Sequence, residues 1–122
     1  MKRSIFLLII LALGLVPPAG AQGYSLTGND FLRMCDGPFS NDVEKLMYAS
    51  FCTGYLQGLQ QMHHIVVGVR NVQPLYCEPT QSGNYDQLER VVVKWLKNNP
   101  EHLHRDARVL VTRALMEAFP CR

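Results

Sequence analysis

The side chains best suited to chemistry are four cysteines, at positions 35, 52, 77 and 121, together with the histidine pairs His63-His64 and His102-x-His104. A cysteine nucleophile needs a free thiolate beside a histidine. An even number of cysteines in an exported chain is more economically read as two disulfides. Serine chemistry has no better footing, because Ser25, Ser40, Ser50 and Ser82 stand outside any G-x-S-x-G elbow. Neighbouring helical residues point about 100° apart and residues two apart nearly opposite, so neither histidine pair makes the one-face i,i+4 clamp of a metal site. The carboxylates are scattered, and several lie where a helix dipole accounts for them. These residue types imply no catalytic nucleophile, no metal and no cofactor, and they favour a protein that binds rather than one that catalyses.

Export is read from the first residues. Lys2 and Arg3 precede the apolar run Ile5–Val16 and the small-residue site Ala19-Gly20-Ala21, the pattern of a cleaved secretory signal over residues 1–21. Position 22 is Gln rather than the Cys of a lipid anchor. A single domain is expected over 22–122, free of further membrane insertion. The leader takes Lys2 and Arg3 from the twelve basic residues, leaving ten against ten acidic ones. That balance excludes the sustained basic face of a nucleic-acid or anionic-membrane binder.

The elements that must position these residues are helical. After a short, loose, polar segment at 22–27, Asn29 or Asp30 is expected to cap a brief helix ending at Cys35. Asp36–Asn41 is a turn, and Asn41 or Asp42 opens a long helix from 42 to about 64 with Val43, Leu46, Met47, Phe51, Tyr55 and Leu59 on its buried face. Gly54 and Gly58 share one side of this helix, which implies close packing against another element of the same chain. Ile65–Val69 suits either a frayed helix end or a short strand. A long loop from Arg70 to Asn84 carries Cys77, pinned by a disulfide. Asn84 and Gln87 have capping-box spacing ahead of a helix over 85–98 with the stripe Leu88, Val91, Val92, Trp95 and Leu96. Asn99 and Pro100 are expected to cap and start the last helix, whose stripe runs through Leu103, Ala107, Leu110, Val111, Ala114, Leu115 and Ala118. The fold class is therefore all-α, a small disulfide-linked bundle of about four helices with the first one short.

Four local patterns occur in order: Cys52-Thr53-Gly54-Tyr55, then Cys77-Glu78-Pro79, then Gln87-Leu88 through Trp95-Leu96 to Pro100-Glu101, and Ala107–Leu115 leading into Ala118-Phe119-Pro120-Cys121. Together they resemble the Rap/Tai family of periplasmic immunity proteins, over roughly residues 27–122. The resemblance implies a helical, non-enzymatic periplasmic protein that binds a type VI secretion effector, a peptidoglycan amidase of the cysteine type, and blocks its active site, often as a homodimer. Four cysteines allow three connectivities, of which Cys35–Cys52 and Cys77–Cys121 is the favoured one. The surface expected to meet the effector is the pinned loop, with Arg70, Asn71, Gln73, Tyr76, Glu78, Gln81 and Asn84. A second candidate surface is the outer side of the long helix at Gln57, Gln60, Gln61 and His64. A different class of function, a periplasmic acid-stress chaperone, would use the same small scaffold to expose apolar surface when carboxylates and histidines take up protons.

Overall fold

A computed structural model describes residues 23, 25–78 and 85–122. The expected signal segment 1–21 and two of the expected contact residues, Gln81 and Asn84, lie outside the described residues. Four α-helices occur among them: α1 (Gly28–Asp36), α2 (Asp42–Arg70), α3 (Tyr85–Asn98) and α4 (Ala107–Ala118), with a 3-10 turn at Pro100–His102 between the last two. The only β-type pairing among the described residues is an isolated bridge between Thr27 and Asp106.

The starts of α1, α2 and α4 each have a local chemical reason, and two of them differ from expectation. Thr27, not Asn29 or Asp30, caps α1. Its hydroxyl accepts the Asp30 N–H at 3.2 Å while the Asp30 carboxylate accepts the Thr27 N–H at 3.1 Å, a reciprocal capping box. Asn41 opens α2 by accepting the Glu44 N–H at 2.9 Å. At Asn99-Pro100 only the 3-10 turn forms. The Asn99 amide donates to the Trp95 carbonyl at 2.8 Å instead of capping forward, and α4 begins at 107 behind Asp106, which accepts the Arg108 N–H at 2.8 Å. Within the segment expected to be loose, residues 25–27 are held. Leu26 accepts the Ala107 N–H at 2.7 Å, and the Gly28 and Asn29 N–H groups donate to the carbonyls of Arg105 and Leu103, both at 2.9 Å. Gly28 permits this approach, since a Cβ there would lie 2.5 Å from a Leu110 methyl and 3.1 Å from the Leu103 backbone.

The core gathers Phe31 of α1, Leu56 of α2, Leu88, Val92 and Leu96 of α3, Leu103, and Ala107, Leu110, Val111, Ala114 and Leu115 of α4. Ala118 is exposed, so the last helix's stripe ends one turn early. α2 continues as helix through Ile65–Val69 to Arg70, which settles that segment as helical. At 29 residues it is about 43 Å long, roughly twice the reach of the 14-residue α3. Its neighbours therefore cover only one side of it, and that side holds Cys52, Leu56 and Gln60. The stripe expected to be buried is largely open instead, with Val43, Leu46, Met47 and Phe51 all exposed. The packing expected around Gly54 and Gly58 is likewise absent, because a Cβ at either would meet nothing within 4 Å.

Two disulfides close the bundle. Cys35–Cys52 joins the end of α1 to the middle of α2, and Cys77–Cys121 fastens the loop after α2 to the C-terminus, with Cα–Cα distances of 5.6 and 4.9 Å. Between α3 and α4 the Trp95 indole N–H donates to Glu117 at 2.7 Å, and Glu117 also takes Arg113 Nε at 3.1 Å.

Candidate functional site

The loop that leaves α2 is built from its first residue. Asn71 ends the helix in the left-handed conformation, at φ 49° and ψ 45°, which asparagine adopts more readily than other side-chain-bearing residues. The chain turns there and runs back along the last turns of α2 towards α4. Arg70, Asn71 and Gln73 are exposed on it, with Val72 and Leu75 open beside them.

Three anchors hold this loop. At its far end the Cys77 N–H donates to the Phe119 carbonyl at 2.8 Å, alongside the Cys77–Cys121 disulfide. In the middle the Leu75 N–H donates to His63 Nε2 at 3.0 Å, and the Tyr76 ring stacks on the His63 imidazole, with centroids 4.2 Å apart and planes 12° from parallel. The third anchor is a hydrogen bond from the Gln60 amide to the Glu78 carboxylate. Tyr76 is only 3% exposed and Gln60 only 5%. Neither presents its side chain to a partner in the free protein, and Glu78 is half-buried. Among the expected contact residues, the loop therefore offers Arg70, Asn71 and Gln73, while Tyr76 and Glu78 support it from beneath. On the second candidate surface Gln57, Gln61 and His64 are exposed and Gln60 faces inward.

Electrostatics reinforce the anchors. Burial, then the nearby His64, hold the His63 imidazole below its usual pKa, partly opposed by Glu78, so the neutral ring that can accept the Leu75 N–H is favoured. Burial and the Glu78 carboxylate push the Tyr76 phenol up to about 12, which keeps it uncharged. His63 Nδ1 and one oxygen each of Gln60 and Glu78 are enclosed with no hydrogen-bond partner among the described residues. Beneath the loop lies a cleft of about 330 Å³ whose walls include Leu59, Met62, Val66, Leu75, Tyr76 and Thr112. Its lining is mainly apolar, suited to an inserted aliphatic or aromatic side chain.

Sequence reasoning missed His63 and Gln60 as parts of the loop's support. A glutamine four residues after Leu56 could have been noticed as continuing the buried row Cys52, Leu56, Gln60, but only once that row was known to be the buried one. His63 carries no sequence signal for its role, since its partner is a backbone N–H twelve residues away. The arrangement contains no thiolate, because all four cysteines are disulfide-bonded. No group of three or more metal-ligating side chains converges among the described residues. A braced loop beside an apolar cleft is equipped for recognition.

Comparison with protein families matches residues 27–121 to the family described as Rap1a immunity proteins. The matched span includes all four helices, both disulfides and the braced loop. No curated protein and no solved structure matches the chain.

Proposed function

The chain belongs to the Rap1a immunity protein family, and from that premise we propose that it is a periplasmic antidote that binds a peptidoglycan amidase delivered by type VI secretion and obstructs its active site. The single observation carrying this reading is the family match across the whole helical unit. An immunity protein acts by binding a partner effector. Residues 70–78 supply a surface suited to that, because a loop already fixed by a disulfide and a stacked ring pair gives up less conformational freedom on binding. Arg70, Asn71 and Gln73 contact the amidase, joined by Gln81 and Asn84 further along the chain. Tyr76 and Glu78 keep the loop in shape. The leader pattern at 1–21 and the two disulfides suit the oxidising compartment in which an amidase meets its substrate. No helix among the described residues is long and apolar enough to cross a membrane.

The test is a pull-down of the oxidised protein against an envelope lysate and the products of neighbouring reading frames, followed by a peptidoglycan-cleavage assay of whatever binds. A stoichiometric complex in which an amidase loses activity is expected. The combined Arg70→Ala, Asn71→Ala and Gln73→Ala variant should weaken inhibition by about tenfold or more without changing the helical circular-dichroism signal. Unchanged inhibition would remove the loop from the interface. Capture of several unrelated unfolding proteins at low pH, with no amidase among them, would favour the acid-stress chaperone instead.

A further inference from the structure

The two disulfides stand in different surroundings. Cys35–Cys52 joins a half-buried residue to a fully buried one, on two helices that share the core through Phe31 and Leu56. Cys77 and Cys121 are both exposed. Neither lies on a helix: Cys77 is on the loop after α2, and Cys121 follows the end of α4 at Ala118. An attacking thiolate can approach the second pair while the protein is folded, whereas the first is shielded by the packing of α1 on α2.

What holds each pair of sulfurs together, apart from the bond itself, differs in the same direction. If Cys35–Cys52 opened, α1 and α2 would stay packed, with the Phe31 and Tyr55 rings 5.0 Å apart, and the two thiols would remain neighbours ready to close again. At Cys77–Cys121 the backbone tie is the hydrogen bond from the Cys77 N–H to the Phe119 carbonyl, and Pro120, Cys121 and Arg122 beyond it are all exposed. Once opened, these sulfurs can separate, and the freedom gained favours the open form. The longer span of chain that this bond closes does not protect it, because that entropy belongs to the unfolded chain. Access and mooring thus select the same bond.

We propose that Cys77–Cys121 is a redox-modification site, the substrate of a protein dithiol of the C-x-x-C kind, and that its reduction unfastens residues 71–78 while the bundle stays folded. One thiolate of the dithiol attacks a sulfur of the pair, breaking the S–S bond and forming a mixed disulfide, and the expelled thiolate takes a proton from water. The second thiolate of the dithiol then attacks the mixed disulfide, leaving the reductase oxidised and the other cysteine as a thiolate that is protonated in turn. Two electrons pass to this chain, and the two protons taken up match the two that the dithiol gives to water. A C-x-x-C disulfide of an oxidising partner reverses the exchange. In the reduced form the loop keeps its side-chain anchors at His63 and Gln60 but loses its far fastening. That a loosened loop binds an effector less well rests on the function proposed above; the reduction and the release do not, and their test contains no effector.

The experiment treats the purified, oxidised protein with reduced thioredoxin as the probe, alkylates free thiols at timed intervals and maps the labelled peptides by mass. Cys77 and Cys121 are expected to be labelled about tenfold faster than Cys35 and Cys52, or more, while the helical circular-dichroism signal stays complete. In the same sample, hydrogen exchange at the Leu75 and Cys77 amides should accelerate about tenfold or more, with the amides of α3 and α4 unchanged. Replacing thioredoxin with an oxidised C-x-x-C protein should restore the Cys77–Cys121 pair and the slow exchange. Cys35 and Cys52 labelled as fast as the outer pair, no reduction of the outer pair by thioredoxin, or an opened outer pair with unchanged exchange at Leu75 and Cys77 would each overturn the inference. So would loss of the helical signal in step with reduction.

Discussion

At the scale of single residues, His63 braces the loop through the Leu75 N–H and the Tyr76 ring, and the first of these contacts depends on protonation. While Nε2 accepts the Leu75 N–H the neutral ring carries its hydrogen on Nδ1. Adding a proton places a second N–H against the first and breaks that anchor. Burial and His64 hold the folded-state pKa below the ordinary 6.5, so the contribution to stability is complete above about 6.5 and is lost as pH falls through the folded value. Carboxylates act lower. Hydrogen bonds from Thr27 hold Asp30 below its usual pKa, those from Ser40 lower Glu44, those from Arg108 and Ser25 lower Asp106, and those from Trp95 and Arg113 lower Glu117. Their contributions are present above the ordinary carboxylate range, about 4, and are lost as pH falls below it. The urea midpoint should accordingly fall in two stages between about pH 7.5 and about pH 2.5. His63→Phe, which keeps a ring against Tyr76 but removes the acceptor, should lower the midpoint at neutral pH and abolish the upper stage. A wild-type profile that is flat down to the carboxylate range would refute the His63 account.

At the scale of elements, a cap and a covered face decide α1, α2 and α4. Thr27 and Asp106 start α1 and α4 and are also joined to each other through the bridge that links the two starts. Thr27→Ala and Asp106→Ala should each cost about 1 kcal/mol in chemical denaturation. The double variant should cost less than the sum, because the sites share one bridge and the first substitution already loosens it. The glycines make a sharper contrast. Gly28→Ala forces a Cβ against Leu110 and the Leu103 backbone and should cost about 1–3 kcal/mol. Gly54→Ala meets open space and should stabilise α2 by about 0.5–1 kcal/mol. The existence of all four helices was legible from the spacing of apolar residues, as at Leu88, Val92 and Leu96 of α3. The covered face of α2 was not, because this helix has apolar residues on two sides and periodicity cannot say which one a neighbour will reach. The same limit applies to the loop: its residues and its cysteine were legible, while its bracing by His63 and Gln60 depends on tertiary placement of a helix end that sequence left undecided between helix and strand.

For the molecule as a whole, the two disulfides divide the labour unequally. In the chain-entropy account the stabilisation grows with the length of chain closed. Cys35 and Cys52 are 17 residues apart and Cys77 and Cys121 are 44 apart, which corresponds to about 3 and about 4 kcal/mol respectively. Their structural consequences differ more than these figures. Cys35–Cys52 joins two helices that already share the core through Phe31 and Leu56, so replacing both cysteines with serine should lower stability while leaving the loop anchored. Cys77–Cys121 and the adjacent Cys77 N–H bond to Phe119 fasten the loop's far end. Without that disulfide the anchors at His63 and Gln60 must hold the loop against the freed C-terminus. The Cys77→Ser, Cys121→Ser variant should therefore lose both stability and the proposed inhibition of its effector, and the inhibition should fall even at temperatures where the helical signal remains complete. The Cys35→Ser, Cys52→Ser variant should inhibit normally whenever it is folded. Comparing inhibition with the helical signal for the two variants over a temperature series tests this. Equal loss of inhibition in both, in step with unfolding, would mean that the loop needs only the folded bundle and not its own covalent fastening.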